Sequence, residues 1–312
     1  MSDANTLSKA PVPDRAERDA FFPSPFSLSE FTAPTTGAAQ PHYSNPYKGP
    51  LKVLMIGTQE RYLPVTQGRY FSTGNHPVET LLPIAHFLAA GFDVDVATVS
   101  GDHVKFENWA FPEQDPVVKG AYDHLKARFE NPLDLRKVVR DGGLEKGSYA
   151  ALFVPGGHGA LNDLPLSRDV GTLMVEALKR DRFVVTLCHG PGSLLSAAVA
   201  QTPEESPVLA PALNFANPEM IQGLAPNPFK GYETCVFPDA IDNGILPEIG
   251  YLPAPMRWLA GDALAQAGLK VLPSPKLGRV HRDRHLLTGD SPLAAEKLGE
   301  LAAATLLEAY GA

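Results

Sequence analysis

The stretch RFVVTLCHGPGSLLSA, residues 182–197, has the form of a strand that passes through a tight turn into a helix. Its first part, 183–187, is apolar and partly β-branched, as in strands that are buried on both faces of a parallel sheet. Cys188 and His189 follow directly, and small and apolar residues suited to a helix come after them. Cys188 is therefore either a nucleophile on a strand-to-helix turn or a small buried hydrophobe.

The same alternation of strand and helix extends along the chain on both sides of this stretch. Short apolar runs predict strands at 51–57, 92–100, 149–157, 269–273 and 278–289. Longer patterns predict helices at 75–91, 169–181, 190–200, 256–267 and 292–310. Strands that alternate with helices predict an α/β fold, a doubly wound sandwich with a mostly parallel central sheet.

Three segments depart from this alternation. Residues 1–50 lack sustained periodicity and predict an N-terminal arm, packed on the body through Phe21, Phe22 and Phe26. Irregular, charged sequence near 101–147 predicts a smaller inserted subdomain, and the Pro- and Asn-rich segment 201–231 predicts a second insertion. We therefore expect an arm over 1–50 and one α/β domain over 51–312 that carries both insertions.

Composition narrows the class of protein. The 312 residues carry a net charge of −8, from 27 basic and 35 acidic side chains, without a clustered Lys/Arg run, so we expect no dedicated nucleic-acid surface. Two cysteines make neither a disulfide framework nor a zinc-binding pattern. No stretch has the length of a membrane span, and the first residues lack the apolar core of a secretory signal. We expect a cytoplasmic protein.

Two glycine-rich turns mark the place where chemistry could occur. VPGGHGALNDL and LCHGPGSLL each follow a predicted strand and open a helix. Because parallel strands end at one edge of a sheet, both turns should face one crevice. A helix N-terminus would stabilise a Cys188 thiolate, and the N–H groups of Gly156, Gly157 and His189 could bind an oxyanion. Alternatively the glycines serve turn geometry alone, and the thiol is inert. The fingerprints of a P-loop, a dinucleotide site and an α/β-hydrolase elbow are absent.

A family resemblance adds to this interpretation. Several long motifs resemble the ThiJ/PfpI superfamily and occur in the same order along the chain: ERYLP, FSTGNHPVETLLP, VPGGHGAL, LCHGP, FPDAIDNGILPEIGYLP and GRVHRDRHLLTGDSP. They most resemble its HchA branch, which contains heat-shock chaperone and glyoxalase III proteins. The similarity extends from about Phe21 to the C-terminus, interrupted by 201–231. It implies a flavodoxin-like core with a smaller added domain, and a homodimer.

The resemblance also implies roles for individual residues. It places the nucleophile at Cys188, its adjacent histidine at His189 and the catalytic glutamate at Glu79. The triad acid corresponds to Asp242, and Asp239, three residues earlier, is the alternative. Glu79 has a second interpretation, because it stands at the third position of its predicted helix, where glutamate is favoured as a cap. His158 lies in the same crevice, as a substrate- or oxyanion-binding group or as a simple turn residue.

The metal site of the HchA branch, two histidines and a carboxylate, is not preserved. When LLPIAHFLAAGFDVDV is aligned to the HchA branch without gaps, Leu88 and Asp93 fall at the first two ligand positions. The third position falls at Leu125, and His124 lies one residue before it. His86 is two residues from the ligand position, a spacing that turns it to another helix face. His86 and His124 could still meet near Asp93, but surface or core positions are favoured for them, and we predict no metal and no cofactor.

The function implied is a glutathione-independent glyoxalase that converts methylglyoxal and related 2-oxoaldehydes into 2-hydroxy acids. Cys188 would form a hemithioacetal and Glu79 would act as general acid and base. Deglycation of glyoxal-modified proteins or nucleotides would use the same thiol. The alternatives are a homodimeric holdase chaperone, which binds unfolded chains, and, less favoured, a cysteine peptidase or amidotransferase.

Overall fold

The computed structural model describes residues 7–209 and 215–311. Its strands are β1 (Val12–Pro13), β2 (Ala20–Phe22), β3 (Lys52–Ile56), β4 (Tyr62–Pro64), β5 (Tyr70–Ser72), β6 (Val94–Thr98), β7 (Leu133–Asp134), β8 (Tyr149–Val154), β9 (Phe183–Leu187), β10 (Glu233–Thr234), β11 (Lys270–Val271), β12 (Val280–Asp283) and β13 (Leu286–Gly289). Its α-helices are α1 (Pro25–Phe31), α2 (Pro77–Ala89), α3 (Pro116–Glu130), α4 (Leu135–Arg140), α5 (Ala160–Asp163), α6 (Arg168–Lys179), α7 (Ser196–Gln201), α8 (Pro218–Gly223), α9 (Leu246–Glu248), α10 (Ala260–Gln266) and α11 (Ala295–Tyr310).

A seven-stranded sheet forms the centre of the molecule, in the order β12-β13-β9-β8-β3-β6-β7. Its neighbours pair in parallel except for β12 with β13. All side chains of β8 and β9 are buried. Because successive side chains point to opposite faces, both faces of the sheet must be covered. Helices α2, α3 and α11 pack together as one group, and α4, α6 and α7 as another. The predicted α/β class and mostly parallel sheet are confirmed.

The N-terminal arm is more regular than the sequence indicates. Strands β1 and β2 join β5 and β4 in a separate four-stranded sheet. Ser24 starts α1 by accepting a hydrogen bond from the Ser27 N–H, and its own N–H donates to the Gly250 carbonyl at 2.8 Å. These long-range contacts tie the arm to the body. Phe21, Phe22 and Phe26 are half-buried there.

The two predicted insertions have different structures. The segment near 101–147 supplies α3, which packs on α2, and β7, the edge strand of the central sheet. It therefore contributes to the sandwich itself. In the segment 201–231 the structure describes α8, which packs on α10, while residues 210–214 lie outside the described residues.

Three boundaries differ from the sequence-based expectation. The helix predicted at 256–267 begins only at Ala260, because the Leu259 backbone is extended. The strand predicted at 269–273 is the short β11, which pairs with β10 outside the central sheet. The segment after Cys188 first forms a 3-10 helix, Gly190–Leu195, before α7. Among the residues described, no helix has the length and apolar character that crossing a membrane requires.

Candidate active site

Cys188 stands at the end of β9 on a strained turn. Its φ is +58°, a left-handed conformation that costs free energy for any residue with a Cβ. The turn is held because the Cys188 N–H donates to the Gly289 carbonyl at 2.9 Å, and the Cys188 carbonyl accepts from the Phe237 N–H at 3.0 Å. A Cβ on Gly190 would lie 2.4 Å from the Val154 carbonyl oxygen, so this glycine is sterically required. The backbone thus fixes the direction of the thiol.

A histidine and an aspartate form a chain of polar contacts with the thiol. The Cys188 Sγ is 3.3 Å from His189 Nδ1, and His189 Nε2 is 2.7 Å from Asp242 Oδ2. Asp239, the alternative triad acid, accepts instead from the N–H groups of Gly261 and Asp262 at the start of α10. The geometry therefore favours Asp242 over Asp239 as the carboxylate that orients His189.

His158 also contacts the carboxylate that orients His189. Its Nε2 is 2.9 Å from Asp242 Oδ1, so Asp242 holds two imidazoles, whose ring centroids are 4.0 Å apart. Burial alone would raise the pKa of Asp242, but the two histidines outweigh it and hold this pKa well below its usual range. Burial, with the neighbouring His189, lowers the pKa of His158. His158 lines the crevice as expected, but its Nε2 is engaged with the carboxylate.

Glu79 approaches the thiol from α2 and is completely buried. Its carboxyl faces the Cys188 thiol and the Gly157 N–H. It does not cap its helix, because the His76 N–H donates to the Gly156 carbonyl at 3.0 Å. A Cβ on Gly156 would lie 2.1 Å from Glu79 Oε2 and 2.6 Å from Cys188 Cβ. Gly156 therefore allows the carboxyl and the cysteine to meet, while Gly157 lines the cavity with a φ of +99°.

The electrostatics of this pair correct one expectation. Burial raises the pKa of Glu79 well above its ordinary value, and burial together with the facing Glu79 raises the pKa of the Cys188 thiol. Burial and the facing carboxyl therefore oppose the stabilisation of a thiolate that the sequence predicts at a helix N-terminus. Two adjacent buried acids cannot both ionise, so Glu79 and Cys188 hold at most one negative charge between them.

A cavity of about 210 Å³ encloses the thiol. Glu30 and Phe31 of α1 contribute to its wall, so the N-terminal arm partly covers the site. Sequence reasoning assigned no chemical role to three further buried groups that line it: His76, Glu107 and Tyr251. Burial lowers the pKa of His76 to about 3, so this imidazole is neutral. The glutamate of FENWAFP had no pattern around it that would have marked it as a site residue.

Comparisons with known proteins show the family of the chain. Residues 71–204 match the DJ-1/PfpI family model. The chain is 49% identical, over 310 residues, to the protein/nucleic acid deglycase HchA of Pseudomonas aeruginosa (strain UCBPP-PA14), with 99% of each chain covered. The chain belongs to the DJ-1/PfpI family. The resemblance drawn from its motifs is thereby confirmed.

Further DJ-1/PfpI relatives support the assignment of family and fold. The protein/nucleic acid deglycase HchA of Staphylococcus aureus (strain Newman) is 47% identical over 308 residues, 98% of each chain. A solved structure, glyoxalase III from Candida albicans, superposes with a TM-score of 0.58 at 19% identity, over 81% of this chain and 97% of that one. At this identity the likeness shows the fold alone.

The metal-ligand positions named above do not form a metal site in this DJ-1/PfpI chain. Both oxygens of Asp93 accept from the Arg128 guanidinium, at 2.6 and 3.2 Å. His86 is engaged elsewhere, with Nδ1 2.7 Å from the Tyr43 hydroxyl. His124 shares an open groove with Asp93, but Leu88 beside it offers no ligand atom. Those residues do not fit the metal.

A second group of metal-ligating side chains comprises His158, His189 and Asp242, whose donor atoms lie within 4.8 Å of one another. These atoms already bond to one another, since both imidazole Nε2 atoms contact the carboxylate. The arrangement is that of a hydrogen-bonded triad, so the chemistry below is derived from the side chains alone.

Proposed function

We propose that this chain is a glutathione-independent glyoxalase of the glyoxalase III type, which converts methylglyoxal and related 2-oxoaldehydes into 2-hydroxy acids. The observation that carries this proposal is the Glu79 carboxyl packed against the Cys188 thiol inside a small buried cavity. A thiol can capture the aldehyde carbon, and a carboxyl beside it can move the proton of that carbon.

The first step forms a hemithioacetal. The Cys188 sulfur bonds to the aldehyde carbon, C1, while the carbonyl π bond breaks. The thiol proton passes through Glu79 to the aldehyde oxygen, so Glu79 is again a carboxylate when the adduct has formed. The complete burial of Glu79 strengthens the interaction of this carboxylate with the bound adduct.

The second step is an isomerisation. Glu79 removes the C1 proton to give an enediol and returns it at C2, which leaves a thioester of the 2-hydroxy acid on Cys188. The raised pKa of Glu79, caused by burial, makes this carboxylate a stronger base than an exposed glutamate.

The third step releases the product by hydrolysis. Water attacks the thioester carbon, and His189, oriented by Asp242 at 2.7 Å, accepts the proton of the water. The thiol leaves with one proton and the 2-hydroxy acid departs. No external electron acceptor is needed, because C1 is oxidised and C2 reduced within one molecule.

Deglycation is a related activity that we propose for the same site. The relatives at 47–49% identity are named protein/nucleic acid deglycases. In an aminocarbinol the aldehyde carbon is already bound to an amine, and Cys188 would displace this amine as it takes up a proton. The same isomerisation and hydrolysis would then follow.

A holdase chaperone is the second candidate. Phe31 and Leu293 at the rim of the cavity are 40% and 69% exposed, and exposed apolar side chains can bind unfolding chains. Suppression of aggregation by the chain should survive Cys188→Ala. A peptidase or amidotransferase has less support, because the enclosed cavity suits a small substrate.

We also propose that the chain forms a homodimer in the cytoplasm. Light scattering tests the homodimer, which should have about twice the mass of the 33.5 kDa chain.

The test of the main proposal is lactate formation from methylglyoxal without glutathione. Wild type should form lactate, and Cys188→Ala should show only background. Wild-type lactate formation at the background rate would contradict the glyoxalase proposal and favour the chaperone.

A further inference from the structure

Glu107 is a second buried carboxyl in the cavity, to which the three steps above give no role. Its side chain is completely buried. One oxygen, Oε1, accepts a hydrogen bond of 2.6 Å from the Thr73 hydroxyl. The carboxyl also faces the backbone N–H of His158, but Oε2 is buried and forms no hydrogen bond of normal geometry with a described residue. An unpaired buried carboxyl oxygen costs free energy, so a solely structural role would favour an uncharged, fully bonded side chain.

The backbone fixes Glu107 in the wall of the cavity. Its N–H donates to the Asn75 carbonyl at 3.0 Å, in the loop that precedes α2 and Glu79. Thr73, which holds Oε1, also accepts from the Gly159 N–H at 3.1 Å. Glu107 is therefore attached to both loops that carry the active site, and its orientation does not depend on solvent.

The isomerisation needs a proton donor that Glu79 cannot supply. As Glu79 removes the C1 proton, the C2 carbonyl oxygen must gain a proton to become an enediol hydroxyl. As Glu79 then returns its proton to C2, the C1 hydroxyl must lose one. His189 bonds to Asp242 through Nε2, and in the tautomer that later accepts the water proton its Nδ1 carries no proton to give, while His158 Nε2 is also engaged with Asp242.

We propose that Glu107 is a second acid–base residue of this site, which carries a proton between the two oxygens of the bound 2-oxoaldehyde. Protonated Glu107 gives its proton to the C2 oxygen as the enediol forms, and then takes the proton of the C1 hydroxyl as the thioester forms. Glu107 is protonated again at the end, so the exchange is balanced without another reactant. This inference rests on the proposed glyoxalase function.

The charge environment supports a protonated starting state. Burial raises the pKa of Glu107 to about 7, against the lowering effects of His158 and the Thr73 hydroxyl. The titratable groups coupled to it are His158, Arg61, Glu79, Cys188 and Tyr251. Because Glu79 and Cys188 lie near enough to interact electrostatically with Glu107, a negative charge on either of them disfavours a second charge on Glu107. Turnover should decline as the pH rises through this pKa.

Glu107→Gln tests the assignment directly. The amide cannot release and regain a proton, so kcat for lactate formation should fall by about 10²-fold or more. Alkylation of Cys188 by iodoacetamide should be no slower than in wild type, because the thiol itself is intact. Glu113→Gln is the matched control, an exposed glutamate on the same segment, and should leave kcat unchanged.

Two outcomes overturn the assignment in different ways. Lactate formation by wild type and Glu107→Gln at equal rates across the pH range overturns the role of Glu107 alone. A wild-type chain inert towards methylglyoxal overturns the proposed function, and this assignment with it.

Thr73→Val provides a second variant that keeps the carboxyl. Loss of the hydroxyl raises the pKa of Glu107, so the alkaline decline of kcat should move to higher pH, while Thr73→Ser should retain the wild-type profile. If kcat declines at the same alkaline pH in wild type, Thr73→Val and Thr73→Ser, the proposal is overturned. This test holds even if Glu107→Gln does not fold. If Glu107 had a structural role alone, Thr73→Val would lower the stability of the chain without changing the pH at which kcat declines.

Discussion

The two cysteines of this chain are both buried, yet their surroundings differ. Cys188 has a left-handed backbone, a histidine nitrogen 3.3 Å from its sulfur and the Glu79 carboxyl against it. Cys235 follows the short strand β10, and its N–H donates to the Thr288 hydroxyl at 2.8 Å. Burial raises the pKa of both thiols. Burial and pKa therefore do not distinguish a nucleophile from a structural cysteine, whereas a strained turn and adjacent acid–base groups do.

The largest expected effect separates these two residues. Cys188→Ala should abolish lactate formation, because no other thiol lines the described cavity. Cys235→Ala should keep activity within a few fold and lower the free energy of unfolding by about 1 kcal/mol, typical of a small buried truncation. Lactate assays and denaturant melts of both variants measure this. Equal loss of activity in both would show that the comparison does not identify the nucleophile.

Glu79→Gln should have opposite effects on turnover and on thiol reactivity. Loss of the base should lower kcat by about 10²- to 10⁴-fold. Because Glu79 raises the pKa of Cys188, its neutralisation should lower this pKa, so that iodoacetamide alkylates Cys188 faster at pH 7. Cys235 serves as the internal control in the same peptide map. Slower alkylation of Cys188 would contradict the electrostatic account.

Asp242→Asn should impair hydrolysis more than thioester formation. An amide does not hold His189 in the tautomer that accepts a proton, so turnover should fall by about 10²-fold or more, and a 2-hydroxyacyl adduct should accumulate on Cys188. Mass spectrometry of the intact protein detects this adduct. Asp239→Asn, at the start of α10, is the control and should keep wild-type turnover. Reversed results would assign the triad acid to Asp239.

The pH dependence of stability gives a further test of Asp242. Its folded-state pKa is held below the unfolded value, so the stabilisation is present above the unfolded pKa of about 3.9 and is lost as the pH falls. In Asp242→Asn this contribution is absent. Urea melts between pH 5 and pH 3 should therefore show a shallower decline of unfolding free energy than in wild type. An equal or steeper decline in Asp242→Asn would show that Asp242 does not make this pH-dependent contribution to stability.

The smallest expected effect concerns the space between Glu79 and Cys188. Gly156→Ala places a methyl group 2.1 Å from Glu79 Oε2 and 2.6 Å from Cys188 Cβ, so one of them must move. We expect a loss of about 1–3 kcal/mol in unfolding free energy and a lower kcat. Gly120→Ala, on α3 with open space around it, is the control and should not destabilise the chain. Full activity of Gly156→Ala would show that this close approach is not required.

Much of the sandwich could be predicted from the sequence, because strands such as β3, β8 and β9 are continuous apolar runs bounded by turn residues. The position of Cys188 at a strand end also followed from this pattern. The sheet of the arm could not be predicted, since β1 and β2 are short and exist through pairing with β5. Such pairing has no local periodicity to mark it.

The active site was only partly accessible from the sequence. The family resemblance supplied Glu79 and Asp242, but the shared contact of His158 and His189 with Asp242 joins residues 84 and 53 positions apart. Glu107 carries no motif, and only the closed cavity gives it significance. The opposition of burial and Glu79 to a Cys188 thiolate was also inaccessible from the sequence, because the burial of Glu79 against Cys188 depends on how α2 packs.

Protection of Cys188 by substrate is the most direct test of the central claim. In Glu79→Gln the proton relay of the first step is lost, but hemithioacetal formation is a reversible equilibrium, so after long incubation methylglyoxal should still be bound to the thiol without being isomerised. Iodoacetamide labelling should then decline at Cys188 with saturable dependence on methylglyoxal, while labelling at Cys235 stays constant. Labelling of Cys188 that is unchanged at saturating methylglyoxal would contradict the account, because the thiol would not hold the substrate.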